Sequence, residues 1–84
     1  MNQKVTENNN FLTIGKLAKA SGTRLTTLKY YTELGILPFS QEGERLTRKY
    51  KKVEALERLE KIKELKVKRL TIKEIVDHFD NPRL

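Results

Sequence analysis

Eighty-four residues with 37% apolar content are enough for one small core and one domain. With no cysteine and a single histidine, His78, the chain excludes disulfide staples, zinc fingers and any metal centre built from several nitrogen or sulfur ligands. Eighteen Lys and Arg against eleven Asp and Glu give a formal net charge of +7, which favours a polyanionic partner, either nucleic acid or an acidic membrane surface.

No apolar run approaches the roughly 18 to 20 residues that cross a bilayer. Residues 1–10 carry three consecutive asparagines where a secretory leader would be apolar, so a cytoplasmic protein without membrane contact is the default expectation. Those ten residues are expected to be a disordered polar tail, because they bury too little to offset their ordering entropy. Over residues 13–20, Ile14, Leu17 and Ala18 form the i, i+3, i+4 stripe of a short helix, with Thr13 as its N-cap and Ser21-Gly22 as its stop. A second helix is predicted over residues 25–34, with Leu25, Leu28 and Tyr31 facing the core; Gly35 ends it and Pro38 prevents its continuation. Residues 38–50, with Gly43 near the middle, suit a short two-stranded hairpin.

Val53, Leu56, Leu59, Ile62 and Leu65 then draw one apolar seam along a helix over residues 53–66, the longest predicted. The last helix starts at Thr71, whose spacing to Glu74 is that of a capping box. Ile72, Ile75, Val76 and Phe79 form its inner face, and Asn81-Pro82 ends it. The expected domain covers residues 11–80, with residues 81–84 as a C-terminal end. The fold class is therefore mostly α with a small β-hairpin, in the order helix, turn, helix, hairpin, helix, helix.

Two short helices separated by Ala20-Ser21-Gly22-Thr23 have the spacing of a helix-turn-helix, in which the first helix braces the second for entry into a major groove. The face left over on the second helix offers Arg24, Thr26, Thr27, Lys29 and Tyr30, residue types that reach phosphates and base edges. Beyond it, residues 45–52 hold five cations and no acid, including Arg45, Arg48 and Lys49. A basic hairpin beside a recognition helix is a wing that grips the flanking backbone or enters the minor groove. Each surface alone would also suit a solvated face; the two together in one small domain favour nucleic acid.

The order of short motifs resembles the opening of the mercury-resistance-regulator (MerR) family. Phe11-Leu-Thr-Ile-Gly-Lys-Leu-Ala-Lys-Ala-Ser-Gly22 is similar to the family's Ile-Gly-x-Leu-Ala helix, and Thr27-Leu-Lys-Tyr-Tyr31 to its Thr-Leu-Arg-Tyr-Tyr. Leu34-Gly-Ile-Leu-Pro38 resembles Leu-Gly-Leu-Leu-x-Pro, Arg48-Lys49-Tyr50 the Arg-Arg-Tyr wing end, and Leu70-Thr-Ile-Lys-Glu-Ile75 the later Leu-x-Glu-Ile helix. The resemblance covers about residues 11–79 and implies a winged helix-turn-helix. In it the recognition helix, about 25–34, enters the major groove and the wing, about 39–50, meets flanking backbone or minor groove. It implies Thr27, Lys29 and Tyr30 at the DNA, Lys16 near the first helix's start, and Arg48 and Lys49 on backbone, with Leu28 and Tyr31 facing the core.

Four departures matter. Lys29 replaces the family's Arg and loses the planar fork, which shifts its expected role from base to phosphate. Arg24 occupies the small hydroxyl position that caps the recognition helix, leaving Thr23 as the substitute cap. The wing lacks the family's Gly-Tyr before its two basic residues. The chain also stops at Leu84, where MerR-type regulators continue into a dimerising helix and an effector region, so no effector sensing carries over; a minimal protein and a portion of a longer one both remain open.

Sequence-specific binding of double-stranded DNA for transcription regulation is the leading expectation, with no cofactor and no metal. Occupancy would need self-association or cooperative binding on DNA, because one winged domain covers a short site. The same chemistry suits an excisionase-like or plasmid-segregation architectural protein on repeated sites, and a third reading makes the seam of residues 53–65 a protein-binding surface. An enzyme is not expected: no cysteine, serine–base pair or phosphate-cradling glycine loop is present, and His78 reads as a solvent-facing helix residue.

Overall fold

The computed structural model describes residues 10–42 and 47–80. The expected polar tail up to residue 9, the hairpin tip with Arg45, and the end at 81–84 lie outside the described residues. Helix α1, Ile14–Ser21, begins where the Thr13 side chain accepts from the Lys16 N–H at 3.4 Å. It ends where Gly22, at φ 72°, donates its N–H to the Ala18 carbonyl, a single left-handed cap. Helix α2, Leu25–Leu34, closes with a Schellman turn: Gly35, at φ 83°, donates to Thr32 and Ile36 donates to Tyr31. Both glycines occupy the conformation that a Cβ makes costly, so these two stops follow from residue chemistry alone.

Strands β2, Ser40–Glu42, and β3, Thr47–Lys51, form the expected antiparallel hairpin, pairing Ser40 with Lys49 and Gln41 with Arg48. A third strand was not foreseen. The two residues of β1, Phe11–Leu12, pair antiparallel with β3 and make the sheet order β1-β3-β2. Helix α3, Lys52–Val67, follows β3 without a break. No side chain caps it; instead its first N–H, on Lys52, donates to the Asn10 carbonyl at 2.7 Å beside β1. That long-range cap places the helix start one residue before the apolar pattern begins, and Val53, expected in the seam, is 63% exposed. The seam itself is inside through Leu59, Ile62 and Leu65, with Leu56 half-buried, and Ala55 joins it unannounced.

Helix α4, Ile72–Asp80, starts with the expected capping box in both directions: Glu74 N–H to Thr71 Oγ1 at 3.1 Å and Thr71 N–H to Glu74 Oε1 at 2.8 Å. Its Ile75 is fully buried, Val76 and Phe79 pack against the core, and His78 is exposed as expected. The core takes Leu17 from α1, Leu28 and Tyr31 from α2, Ile36 and Leu37 from the segment after it, Tyr50 from β3, four side chains from α3 and Ile75 from α4. Each such buried aliphatic contributes about 1.5 to 3 kcal/mol. Arg58 of α3 locks the periphery: it donates to the Ile36 carbonyl at 2.8 Å while its guanidinium lies 4.1 Å from the Phe79 ring centroid. The segment leading from α2 into the hairpin is thereby tied to α4. Among the described residues no helix is long and apolar enough to cross a membrane.

Candidate nucleic-acid interface

Three buried side chains fix how α2 is presented. Leu28, Tyr31 and Thr32 point into the body, which leaves Thr26, Lys29, Tyr30 and Glu33 exposed at i, i+3, i+4 and i+7 along one stripe. Thr27 sits at the flank, half-buried, where it lines a groove between the helix-turn-helix and α3 together with Ser21, Thr23, Tyr31, Lys63 and Lys66. Of the expected reading face, the structure thus brings Thr26, Lys29 and Tyr30 together and sets Thr27 apart.

Leu25 corrects the periodicity argument. It shares the azimuth of Thr32 but lies two turns away, at the first position of α2, and it is 41% exposed. Thr32 takes the inward place instead, its hydroxyl donating to the Leu28 carbonyl at 2.8 Å and lying 2.9 Å from the Tyr50 hydroxyl. A threonine could not be ranked as core from its polarity, and the Leu28 carbonyl and the Tyr50 hydroxyl together satisfy its buried hydroxyl. The cap of α2 also differs from expectation: Arg24 is the N-cap and makes no side-chain cap bond, while Thr23 donates its N–H to Ser21 Oγ at 3.2 Å. Arg24 is exposed beside Leu25 and Thr26, and Lys16 is exposed on α1.

On the wing, alternation along β3 decides direction. Arg48 and Tyr50 share one face of the strand, and Lys49 and Lys51 the other. Arg48 and Lys49 are both exposed but leave the hairpin on opposite sides, so they are not one contact point. The Arg48 guanidinium lies 4.8 Å from the centroid of the Phe39 ring, and that ring is 6.1 Å from Tyr50.

A third basic surface was missed. Residues 61–69 contain five cations, Lys61, Lys63, Lys66, Lys68 and Arg69, against Glu64 alone, a density close to that of the wing. In the sequence these cations interleave with the apolar seam of residues 53–65, which drew the reading to packing. The structure moves this surface beside the recognition helix, because Lys66 Nζ reaches the Tyr31 hydroxyl at 3.5 Å. Glu64 engages Lys61 at 3.7 Å and Lys68 at 3.6 Å, which offsets part of the charge. Arg69 adopts φ 71°, the one positive-φ residue other than glycine among the described residues. It occupies the left-handed position of a Schellman turn, with Arg69 N–H donating to Lys66 and Leu70 N–H to Leu65.

Among the described residues no cluster of three or more His, Cys, Asp or Glu is placed to hold a metal ion. What the described surface offers instead is an exposed polar stripe on α2 and exposed cations on the hairpin and at the end of α3. No curated protein and no solved structure matches the chain. The family described as MerR HTH family regulatory protein matches residues 12–81, from β1 through the end of α4. Helix-turn-helix, basic hairpin and the two following helices are all within that span, and the chain belongs to the MerR HTH family, whose members are DNA-binding transcription regulators.

Proposed function

We propose that this protein recognises a specific double-stranded DNA site, with α2 in the major groove and the wing on the flanking backbone or minor groove. One observation carries the reading: Leu28, Tyr31 and Thr32 pin α2 so that Thr26, Lys29 and Tyr30 face outward as a single polar stripe, in a domain that also exposes a basic hairpin. Thr26 and Thr27 supply hydroxyls for base edges or adjoining phosphates, and Leu25 offers an apolar contact suited to a thymine methyl. Lys29 and Tyr30 reach backbone or base, Glu33 discriminates by accepting from a cytosine amino group or repelling phosphate, and Arg24 and Lys16 bind phosphate at the helix starts. Arg45, Arg48 and Lys49 grip from the wing, and Lys66, Lys68 and Arg69 grip from the opposite flank.

A single domain of this size covers few base pairs, so full occupancy requires self-association or neighbouring copies on the DNA. Selection of bound sites from random duplexes, with the mass of the complex measured in parallel, tests the reading. A palindromic site bound by two copies supports the regulator; several direct repeats would move the assignment to an architectural, excisionase-like or segregation role. Lys29→Ala and Arg48→Ala should each weaken specific and random duplexes alike and flatten the salt dependence by about 0.9 in log K against log salt. Unchanged affinity in both variants would remove α2 and the wing from the interface.

A further inference from the structure

The wing and the recognition helix are joined by one chain of side-chain contacts that ends on an exposed cation. It begins at the Leu28 carbonyl, which accepts the only hydroxyl hydrogen of Thr32 at 2.8 Å. The 2.9 Å contact between Thr32 Oγ1 and the Tyr50 hydroxyl must then be donated by Tyr50. Tyr50 is fully buried, and this bond crosses from α2 to β3, 18 residues on. Continuing the Ser40–Lys49 register by one step sets Phe39 opposite Tyr50, and the two rings lie 6.1 Å apart. Arg48, two residues before Tyr50 and therefore on the same face of β3, places its guanidinium 4.8 Å from the Phe39 centroid.

This last contact contributes little burial, since Phe39 is 38% exposed and Arg48 is also exposed. Its physical effect lies elsewhere. A cation over a ring is held through its charge and not through its N–H groups, so the contact restrains the arginine while leaving those donors for a planar or tetrahedral oxyanion. An arginine without such a platform loses its rotamer freedom only when it binds, and that loss subtracts from affinity. We propose that Phe39 and Tyr50, anchored through Thr32, are positioning residues that preset the Arg48 guanidinium for a DNA phosphate, so that wing and recognition helix meet the duplex as one surface. The inference rests on the DNA-binding reading above and names which residues behind the wing serve it.

The test is a double-mutant cycle on fluorescein-labelled random-sequence duplexes, read by anisotropy across about 50 to 200 mM salt, with the Arg48 Nε relaxation followed by NMR in the free protein. Phe39→Leu keeps an apolar side chain and removes the ring; Tyr50→Phe keeps the ring and removes the bond to Thr32. Each is expected to weaken binding about two- to threefold, to mobilise Arg48 Nε, and to have no further effect once Arg48→Ala is present. Arg48→Ala alone weakens binding more than either. Losses from Phe39→Leu and Tyr50→Phe that are the same size with and without Arg48 would overturn the positioning role while leaving the wing at the DNA. No loss from Arg48→Ala would overturn the wing reading and the proposal with it. An unchanged Arg48 Nε in Phe39→Leu would show that the ring does not hold the guanidinium.

Discussion

Arg69→Gly should make the protein more stable and a poorer DNA binder at once. Arg69 stands where helix α3 turns into the left-handed region, at φ 71°, and its N–H and that of Leu70 cap the last carbonyls of the helix. For a residue with a Cβ this conformation costs about 1 to 2 kcal/mol. Glycine removes that cost but adds freedom to the unfolded chain worth about 0.4 to 1 kcal/mol, so the net gain is roughly 0.5 to 1 kcal/mol. In a domain of this size that corresponds to a rise in Tm of about 2 to 8 °C. The caps use backbone donors only and survive the change. Binding moves the other way: one phosphate contact fewer lowers the salt slope by about 0.9. Thermal denaturation followed by circular dichroism reads the first effect, and anisotropy at several salt concentrations reads the second. Arg69→Ala separates them, because alanine removes the charge while keeping the Cβ cost of the left-handed region. A lower Tm for Arg69→Gly would refute the strain argument, and an unaltered salt slope in both variants would take Arg69 out of the interface.

Four further substitutions test how the elements are held. Leu28→Ala, at a fully buried position, should cost about 2 to 5 kcal/mol, whereas Leu25→Ala should cost less than about 1 kcal/mol. Urea midpoints that rank the two equally would contradict the exposed placement of Leu25. Arg24→Ser supplies α2 with the side-chain cap it lacks and should add about 0.5 to 1 kcal/mol of stability while weakening DNA binding; a melting curve below that of the parent would show that a serine cannot cap there. Thr71→Ala removes one arm of the capping box, whose other arm runs from Glu74 to the Thr71 N–H. It should cost about 1 kcal/mol, detectable as faster amide exchange in the first turn of α4, and exchange rates that do not change would exclude that role.

The features legible in the sequence are those whose causes lie within a few residues of one another. Thr13, Gly22, Gly35 and the Thr71–Glu74 pair each act on backbone groups no more than four or five positions away, and each ended or began a helix where its chemistry said it should. The polar stripe of Thr26, Lys29 and Tyr30 was equally readable, because helical period alone separates it from Leu28 and Tyr31. What tertiary structure decided depends on partners far along the chain. The cap of α3 comes from Asn10, 42 positions earlier, and strand β1 exists only because β3 offers it an edge. Thr32 is core because the Leu28 carbonyl and the Tyr50 hydroxyl, the latter 18 positions on, meet its hydroxyl, while Leu25, at the first position of α2, is left at the surface. The basic residues were all visible as charge, but charge carries no direction. Strand alternation sent Arg48 and Lys49 to opposite faces, and a contact from α3 brought Lys66 to Tyr31, so where these charges point was set by the fold and not by composition.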